Sequence, residues 1–302
     1  MILQRFIDGL RRRYDWYVLI PIAHRMFKDI EIWDSINSIQ YIIENRCSVS
    51  RFGDGEFFVL LGKGNSFQKP DSILAERLKQ VLTSEDCCNH CVAIPLPLKD
   101  TLRLRKSSKE FWGYFVLRYG KEILPYLSVG RNYLDTQLSR FYIIYKNKEK
   151  CKLQISMLKQ IWDNKDVVIV EGCQSRTGVG NDLYSNARSI SRILGPAESA
   201  FSMYDTIMKA ITENVTKDKL ILLSLGMTAT VLAYDLSKLG YWAIDIGHLD
   251  VEYEWYNKKA KTEYVVTGKY TYGVESGNIV DDSDLPPSYL SQILIDITKQ
   301  KA

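Results

Sequence analysis

The chain has 302 residues, of which 46% are hydrophobic and 25% are charged, and its net charge is +4. This composition is ordinary for a globular protein and allows a sizeable core. The modest charge, without a compact basic and aromatic array, argues against a nucleic-acid-binding protein. Six cysteines in a chain of this length do not form a disulfide scaffold. Residues 87–91 look like half of a zinc site without its second half, so we expect reduced thiols in a cytoplasmic protein.

The N-terminal segment, residues 1–30, is basic and amphipathic. Its first 28 residues hold six arginine or lysine residues against two aspartates. Its first apolar residues recur at helical spacing: Ile2, Leu3, Phe6, Ile7 and Leu10. Such a helix can lie on an anionic membrane surface, or it can pack on the core or on a second subunit, and both interpretations stay open. The apolar run at residues 17–23 is too short to span a bilayer.

Apolar periodicity predicts helices and buried strands through the first half of the chain. Helices are predicted for residues 32–43, for the stretch after Pro70, for 110–119 and for 150–162. Strands are predicted at residues 48–52 and 92–96. Residues 57–61 fit either a helix or a strand, residues 101–109 are expected at the surface, and residues 123–145 give no clear pattern.

The second half alternates between strands and helices. Strands are predicted at residues 166–170, 220–225 and 241–246, and helices at 182–194, 203–211 and 228–239. The continuous apolar run at 167–170 is typical of a strand covered on both faces. This alternation predicts an α/β protein with a mostly parallel sheet flanked by helices. We assign residues 31–270 to this domain and residues 271–302 to a C-terminal tail that packs on it.

The motif Arg51-Phe52-Gly53-Asp54-Gly55-Glu56 carries the clearest chemical information. Its glycines allow a tight turn and a close approach to a ligand. In an extended or turning segment, the i, i+2 spacing directs the carboxylates of Asp54 and Glu56 to the same side. Two hard oxygen ligands on one side suit Mn²⁺ or Mg²⁺. A plain polar turn is the alternative, because Asp-Gly is a common turn dipeptide.

Polar or glycine-rich loops follow three predicted strands, at residues 171–181, 224–228 and 245–250. Open parallel sheets bind ligands beyond the carboxyl ends of their strands, and helix N-termini there offer N–H groups to phosphate. The first loop matches neither a Walker A motif nor a clean G-x-G-x-x-G, so a plain connection is an equal alternative. The candidate residues for binding a phosphate-containing ligand are Arg51, Gly53, Gly172, Ser175, Arg176, Gly178, Gly180, Asn181, Gly226 and Thr228.

His248 directly follows a predicted strand and is flanked by Asp245 and Asp250. It is a candidate metal ligand, phosphate contact or acid–base group; a hydrogen-bonded structural histidine is the alternative. The aromatic residues within 253–256 form either a platform for a sugar or base, or half-buried packing.

Four segments together resemble the GT-D glycosyltransferases, a family first catalogued as a domain of unknown function. They are residues 51–56, 179–183, 224–236 and 243–254. The resemblance covers roughly residues 35–260 and implies a Rossmann-like α/β domain. The D-x-E signature of the family falls on Asp54 and Glu56. Its implied role is to bind a divalent cation, usually Mn²⁺, together with the diphosphate of a nucleotide-sugar donor.

The resemblance implies a metal-dependent glycosyltransferase in bacterial surface-polysaccharide or glycoprotein assembly. It would move a hexose from UDP-glucose or UDP-galactose to a glycan acceptor on lipid or protein. The leaving diphosphate needs charge stabilisation, and the acceptor hydroxyl needs a base. The candidate catalytic groups are Asp54, Glu56, Asp245, His248 and Asp250. We expect a cytoplasmic protein. Peripheral contact with the inner face of the membrane and assembly into a homo-oligomer both stay open.

Two other functions compete with this interpretation. Residues 170–172 before a glycine-rich loop faintly resemble the site of an S-adenosylmethionine-dependent methyltransferase, although that activity gives Asp54 and Glu56 no role. A non-catalytic nucleotide-binding accessory protein is the third hypothesis.

Overall fold

A computed structural model of the chain describes residues 2–64, 67–85, 89–281 and 285–299. Within these residues, nine strands form one wholly parallel sheet in the order β1-β4-β3-β2-β8-β7-β5-β6-β9. The strands are β1 Glu31–Ile32, β2 Ser48–Arg51, β3 His90–Ile94, β4 Asn132–Asp135, β5 Asp166–Gly172, β6 Ser189–Gly195, β7 Leu220–Ser224, β8 Trp242–Asp245 and β9 Ile293–Asp296. The predicted parallel α/β fold is confirmed.

Helices connect and flank these strands. They are α1 Ile2–Tyr14, α2 Ile20–Arg25, α3 Ser35–Asn45, α4 Asp54–Leu60, α5 Ser72–Thr83, α6 Lys106–Ile123, α7 Cys151–Ile161, α8 Tyr204–Asn214, α9 Met227–Lys238, α10 Leu249–Asn257 and α11 Pro287–Gln292. A π-helical turn, Asp15–Leu19, joins α1 to α2. No helix in the described part of the chain is both long and apolar enough to cross a membrane.

The central strand β5 shows why the sheet is covered on both faces. Val167 and Ile169 belong to one buried apolar cluster, whereas Val168 and Val170 belong to the other. Successive side chains of a strand point to opposite faces, so a strand that is apolar at every position must be packed on both sides. The interpretation of residues 167–170 as such a strand is confirmed.

The predicted helix at residues 182–194 is wrong. Residues 189–195 form β6, which pairs with β5 on one side and β9 on the other. Ile190 and Leu194 are four residues apart, a spacing that fits a helix, but they are also an even number apart, which fits one face of a strand. Long-range pairing decided between the two. Asn181, the predicted helix cap, accepts instead from the N–H of Leu183 in a turn, through its Oδ1 at 3.0 Å.

Three other parts of the chain settle what the sequence left open. Residues 57–60 belong to helix α4, for which Leu61 is the C-cap, and the unclear stretch 123–145 contains β4 at its centre. The C-terminal tail adds β9 to the edge of the sheet. Cys87 and Cys88 of the half zinc motif lie outside the described residues, and Cys47 and Cys151 are buried thiols that form no disulfide.

The strand order reverses between β2 and β8. From β2 the chain proceeds through β3 and β4 in one direction, whereas β5, β6, β7 and β8 lie on the other side. In open parallel sheets, the crevice at such a reversal is where ligands bind. Arg51 ends β2 and Asp245 ends β8, so both residues stand at this crevice.

A buried ion pair holds the β5–β6 half of the sheet together. Arg192 Nη1 donates to Glu171 Oε1 at 2.5 Å, and both side chains are almost fully buried. Arg192 also donates to the carbonyl of Thr177 and to Gln292. These contacts bind the loop after β5 and the C-terminal region to one side chain.

We expect Arg192→Leu to lower the free energy of unfolding by about 3–5 kcal/mol, because it leaves the Glu171 carboxylate buried without its partner. The double variant Glu171→Leu/Arg192→Leu should lose less than the sum of the two single variants. Urea unfolding of all four proteins measures this coupling, and strictly additive losses would contradict it.

Candidate functional site

The main cavity of the described structure opens at the carboxyl edge of the sheet and has a volume of about 710 Å³. This size falls within the roughly 300–1,000 Å³ of ligand pockets. It brings together nine of the residues named from the sequence: Arg51, Gly53, Asp54, Glu56, Ser175, Gly226, Asp245, His248 and Asp250. These residues come from the ends of four strands, β2, β5, β7 and β8, and from the segments that follow them.

The Asp54/Glu56 pair reaches the cavity in a different way from the one predicted. Gly53 is the N-cap of α4, and both acids lie in its first turn. In a helix, residues two apart do not share a face, so the expected extended geometry is wrong. Glu56 instead turns back, and its Oε2 accepts from the Gly53 N–H at 2.7 Å. Both carboxylates nonetheless line the cavity.

Burial raises the pKa of the carboxyl groups around the cavity. The pKa of Glu56 rises to about 7, first through burial and then through the negative charge of Asp245. Burial raises the pKa of Asp245 to about 6 against the opposing effect of Arg51. Burial also raises the pKa of Asp54. Burial thus makes the charged form of these carboxyl groups costly in the metal-free protein, and a bound cation would offset that cost.

Arg51 supplies the cavity with a buried guanidinium. Its Nη1 lies 3.6 Å from Asp245 Oδ1, and neither Nε nor Nη1 makes a hydrogen bond within the described residues. Gly247, with a φ of 48°, makes room for it, since a Cβ there would lie 2.1 Å from Nη1. Buried donors that lack partners are costly, so this guanidinium is prepared to bind an anionic ligand.

His248 lines the cavity as a neutral imidazole. Burial, assisted by the positive charges of Arg140 and Arg51, lowers its pKa to about 3. Its ring centroid lies 5.7 Å from that of Tyr272. At neutral pH it can donate or accept a hydrogen bond, but its low pKa makes it a weak proton acceptor.

Asp250 and Asn181 belong to a network beside the cavity. Lys269, which is 4% exposed, donates to Asp250 Oδ2 at 2.6 Å and lies 3.4 Å from Glu254 Oε1. The Asn181 amide donates to both carboxylates at 2.7 Å. Lys269 therefore neutralises the charge of Asp250. Through this contact Asp250 holds the 268–281 segment, which carries Lys269, beside the cavity.

The predicted phosphate loop is only partly at the cavity. Ser175 lines it, but other candidates do not: Gly172, Arg176, Gly178, Gly180, Asn181 and Thr228. Arg176 is buried, and its Nη1 donates to the carbonyls of Gly268 and Asp281. Because β6 follows the loop, no helix N-terminus stands behind it. Arg176 thus fastens the 268–281 segment, whereas the sequence had indicated a phosphate contact.

Several cavity residues carried no signal in the sequence. Arg105 lies in a stretch expected at the surface, yet it lines the cavity and pairs with Glu263. The others come from α6, from the stretch after β4 and from the 268–281 segment: Phe111, Trp112, Gln137, Arg140, Tyr270 and Tyr272. They are far apart in the sequence and form no local motif, so only the folded chain brings them together.

The fold and the cavity define the class: an open parallel α/β protein with an acidic, ligand-sized site at its strand-order reversal. The family model for the glycosyltransferase GT-D fold matches residues 49–274, and the chain belongs to this family. The resemblance seen in the sequence is thereby confirmed.

Known proteins agree with this assignment. The chain is 34% identical over 283 residues to the "Probable glycosyl transferase Gly" of Streptococcus gordonii, covering 93% of this chain and 41% of that protein. It is 38% identical over 234 residues to "Glycosyltransferase GlyD" of Streptococcus pneumoniae serotype 4, strain ATCC BAA-334 / TIGR4, covering 78% of this chain and 28% of that protein. The chain thus spans less than half the length of these relatives.

Solved structures share the whole fold. One, described by the words "The highly conserved domain of unknown function 1792 has a distinct glycosyltransferase fold", superposes with a TM-score of 0.86 at 35% identity, covering 91% of this chain and 98% of that one. Another, "A New Glycosyltransferase (DUF1792) from Streptococcus sanguinis", gives a TM-score of 0.83 at 35% identity, covering 88% and 99%.

The raised pKa of Glu56 predicts a pH-dependent cost to the stability of the metal-free protein. Above its ordinary pKa of 4.5 the unfolded glutamate loses its proton, whereas the folded one keeps it up to a pKa of about 7. Stability is therefore lost as the pH rises through this window, by up to about 3 kcal/mol. Glu56→Gln, whose amide oxygen can still accept from Gly53, should raise the melting temperature at pH 8 and leave it unchanged at pH 4.

The matched control is Glu122→Gln, at an exposed position of α6. It should not change the melting temperature at either pH. A Glu56→Gln variant that melts with the wild type at pH 8 would show that this carboxylate carries no burial cost.

Proposed function

We propose that this chain is a metal-dependent glycosyltransferase that uses UDP-glucose or UDP-galactose as the donor and a glycan as the acceptor. The observation that carries the proposal is the convergence in one cavity of Asp54, Glu56 and Asp245 with Arg51, whose Nε and Nη1 make no hydrogen bond within the described residues. A nucleotide-sugar diphosphate bound with a divalent cation offers both the cation that the carboxylates need and the anion that Arg51 needs.

The donor set fits a cation that is shared with the substrate. Within the described residues, no group of three or more His, Cys, Asp or Glu side chains is arranged to hold a metal ion. Mg²⁺ and related ions are often bound by only one or two carboxylates, with waters and substrate phosphates completing the shell. Asp54 and Glu56 would hold such a cation. When bound, it supplies charge stabilisation for the leaving diphosphate.

The residues around the diphosphate can do the rest of the work. Gly226 and Met227, at the start of α9, line the cavity, and the first N–H groups of a helix have no partner inside it. Together with Arg51 they would bind the developing negative charge. Gly226 has a φ of 56°, and a Cβ there would lie 2.2 Å from the ring of Phe67, so a glycine is needed for this approach.

Asp245 is the best placed of the candidates for the base. Its pKa of about 6 leaves it ionised at neutral pH but basic enough to accept a proton from the acceptor hydroxyl. His248, with a pKa of about 3, would orient the substrate through a hydrogen bond. Transfer would occur in surface-polysaccharide or glycoprotein assembly at the cytoplasmic side of the membrane.

The contacts of Glu171 argue against the methyltransferase interpretation. Its carboxylate is fully buried, binds Arg192, and accepts from the Thr177 N–H at 2.7 Å. Both of its oxygens are bound within the protein and it does not line the cavity, so it is not placed to bind the ribose hydroxyls of a nucleoside cofactor. A non-catalytic nucleotide-binding role is excluded if the protein hydrolyses or transfers a UDP-sugar in the presence of Mn²⁺.

We expect Asp54→Asn and Glu56→Ala to abolish Mn²⁺-dependent binding of UDP and sugar transfer while the protein stays folded. The loss should exceed the 10–100-fold caused by removing groups that only orient metal ligands. Isothermal calorimetry with UDP, with and without Mn²⁺, measures it.

Asp71→Asn is the control, because Asp71 also begins a helix, accepting from Leu74 N–H, but does not line the cavity. It should bind UDP and Mn²⁺ as the wild type does. Unchanged affinity in both cavity variants would remove Asp54 and Glu56 from the metal site.

A further inference from the structure

The structure divides the N-terminal segment into two parts with different surroundings. Ile20 and Ala23 of α2 are buried, and α2 packs on α6. From Ile7 to Tyr14, in contrast, every residue of α1 is exposed. Packing on the core, one of the two interpretations of this segment, is therefore true of α2 and leaves α1 unexplained.

The exposed part of the segment carries an apolar stripe. Ile7, Leu10 and Tyr14 recur at i, i+3 and i+7, which places them on one face of α1. They are 48%, 50% and 55% exposed, and Tyr17 in the π-helical turn is 76% exposed. Leaving such large side chains in water along one continuous stripe marks a surface that is covered by something else.

Arginines surround this stripe. The last turn of α1 is Arg11-Arg12-Arg13-Tyr14, and all three arginines are exposed. At 3.6 residues per turn, Arg11 and Arg13 lie on opposite flanks of the stripe and Arg12 lies behind it. Cations at the borders of an apolar face are typical of a helix that lies in the headgroup region of an anionic bilayer.

Helix α6 places this surface beside the cavity. Lys109 Nζ lies 5.2 Å from the centroid of the Trp16 ring, and a Cβ on Gly113 would lie 3.3 Å from the same ring. The same two turns of α6 line the cavity through Ser108, Phe111 and Trp112. Phe111 is itself 46% exposed, so the rim of the cavity, like α1 and the π-helical turn, presents an apolar side chain to the surface.

We propose that residues 7–18 bind an anionic lipid surface and hold the α6 rim of the cavity against it, so that the acceptor is a glycan carried on a lipid. This acceptor class rests on the proposed function; the lipid surface does not. Helix α1 has 13 residues, fewer than the about 20 that cross a bilayer, so it lies along the surface. A lipid-linked acceptor reaches a cavity in this position without leaving the membrane.

The test is co-sedimentation of the full chain with vesicles of phosphatidylcholine alone or with 30% phosphatidylglycerol. We expect binding to the anionic vesicles, weakening as salt rises, and little binding to the neutral ones. The variant Arg11→Gln/Arg13→Gln removes the two arginines that flank the stripe and should weaken binding about 25-fold. Each charge near the surface contributes about 1 kcal/mol, and about 1.4 kcal/mol is a tenfold change in affinity.

The apolar variant Ile7→Ser/Leu10→Ser should weaken vesicle binding at least about tenfold without lowering the melting temperature. Its control is Ile73→Ser/Leu153→Ser, which removes two exposed apolar side chains from α5 and α7 and should bind as the wild type does. If the apolar variant instead melts at a lower temperature or dissociates an oligomer, while vesicle binding is unchanged, the stripe packs on protein and the proposal fails.

Calorimetry with UDP and Mn²⁺ on the same proteins separates the two proposals. Wild-type protein that binds UDP but not anionic vesicles overturns the membrane surface and leaves the glycosyltransferase standing. Protein that binds vesicles but not UDP supports the surface and overturns the proposed donor. Unchanged UDP affinity in the arginine variant, with vesicle binding lost, supports the surface as a separate site.

Discussion

The cavity depends on the pairing of Arg51 with Asp245 across the strand-order reversal. These two residues end neighbouring parallel strands, and their charged groups lie 3.6 Å apart with little access to water. The pairing is incomplete, since the guanidinium keeps donors without hydrogen bonds and Asp245 raises the pKa of Glu56. A fully paired ion pair would close the site; this one leaves charge of both signs available to a ligand.

A second layer of contacts shapes the cavity from outside. Lys269 is held by Asp250 and Glu254, both of which also accept from the Asn181 amide. Arg176 binds two backbone carbonyls of the same segment. These contacts fix a stretch without helix or strand, which carries Tyr270 and Tyr272 into the cavity. Buried charged groups with several hydrogen bonds are suited to this work, because breaking any one contact leaves a charge unsatisfied.

Helix α6 connects the N-terminal segment to the cavity. Helix α6 receives α2 on one side and contributes Phe111 and Trp112 to the cavity on the other. The π-helical turn that follows the exposed stripe of α1 therefore contacts the same helix that lines the cavity. The curated relatives are more than twice as long as the region that matches this chain. The matched region is therefore only one part of each of those proteins.

The sequence by itself determined the fold class, most strands and the identity of the central acids. Continuous apolar runs such as 167–170 can be satisfied only in a sheet covered on both faces, and the segment around Asp54 has a local pattern strong enough to find. The sequence could not decide residues 189–195, because the spacing of Ile190 and Leu194 fits a helix and a strand equally and only pairing with β5 and β9 selects the strand. Nor could it separate Ser175, at the cavity, from Arg176, one residue later and buried against the 268–281 segment. Arg105, Phe111 and Tyr272 became cavity residues only in the tertiary structure, because their proximity arises from long-range packing that leaves no trace in local spacing.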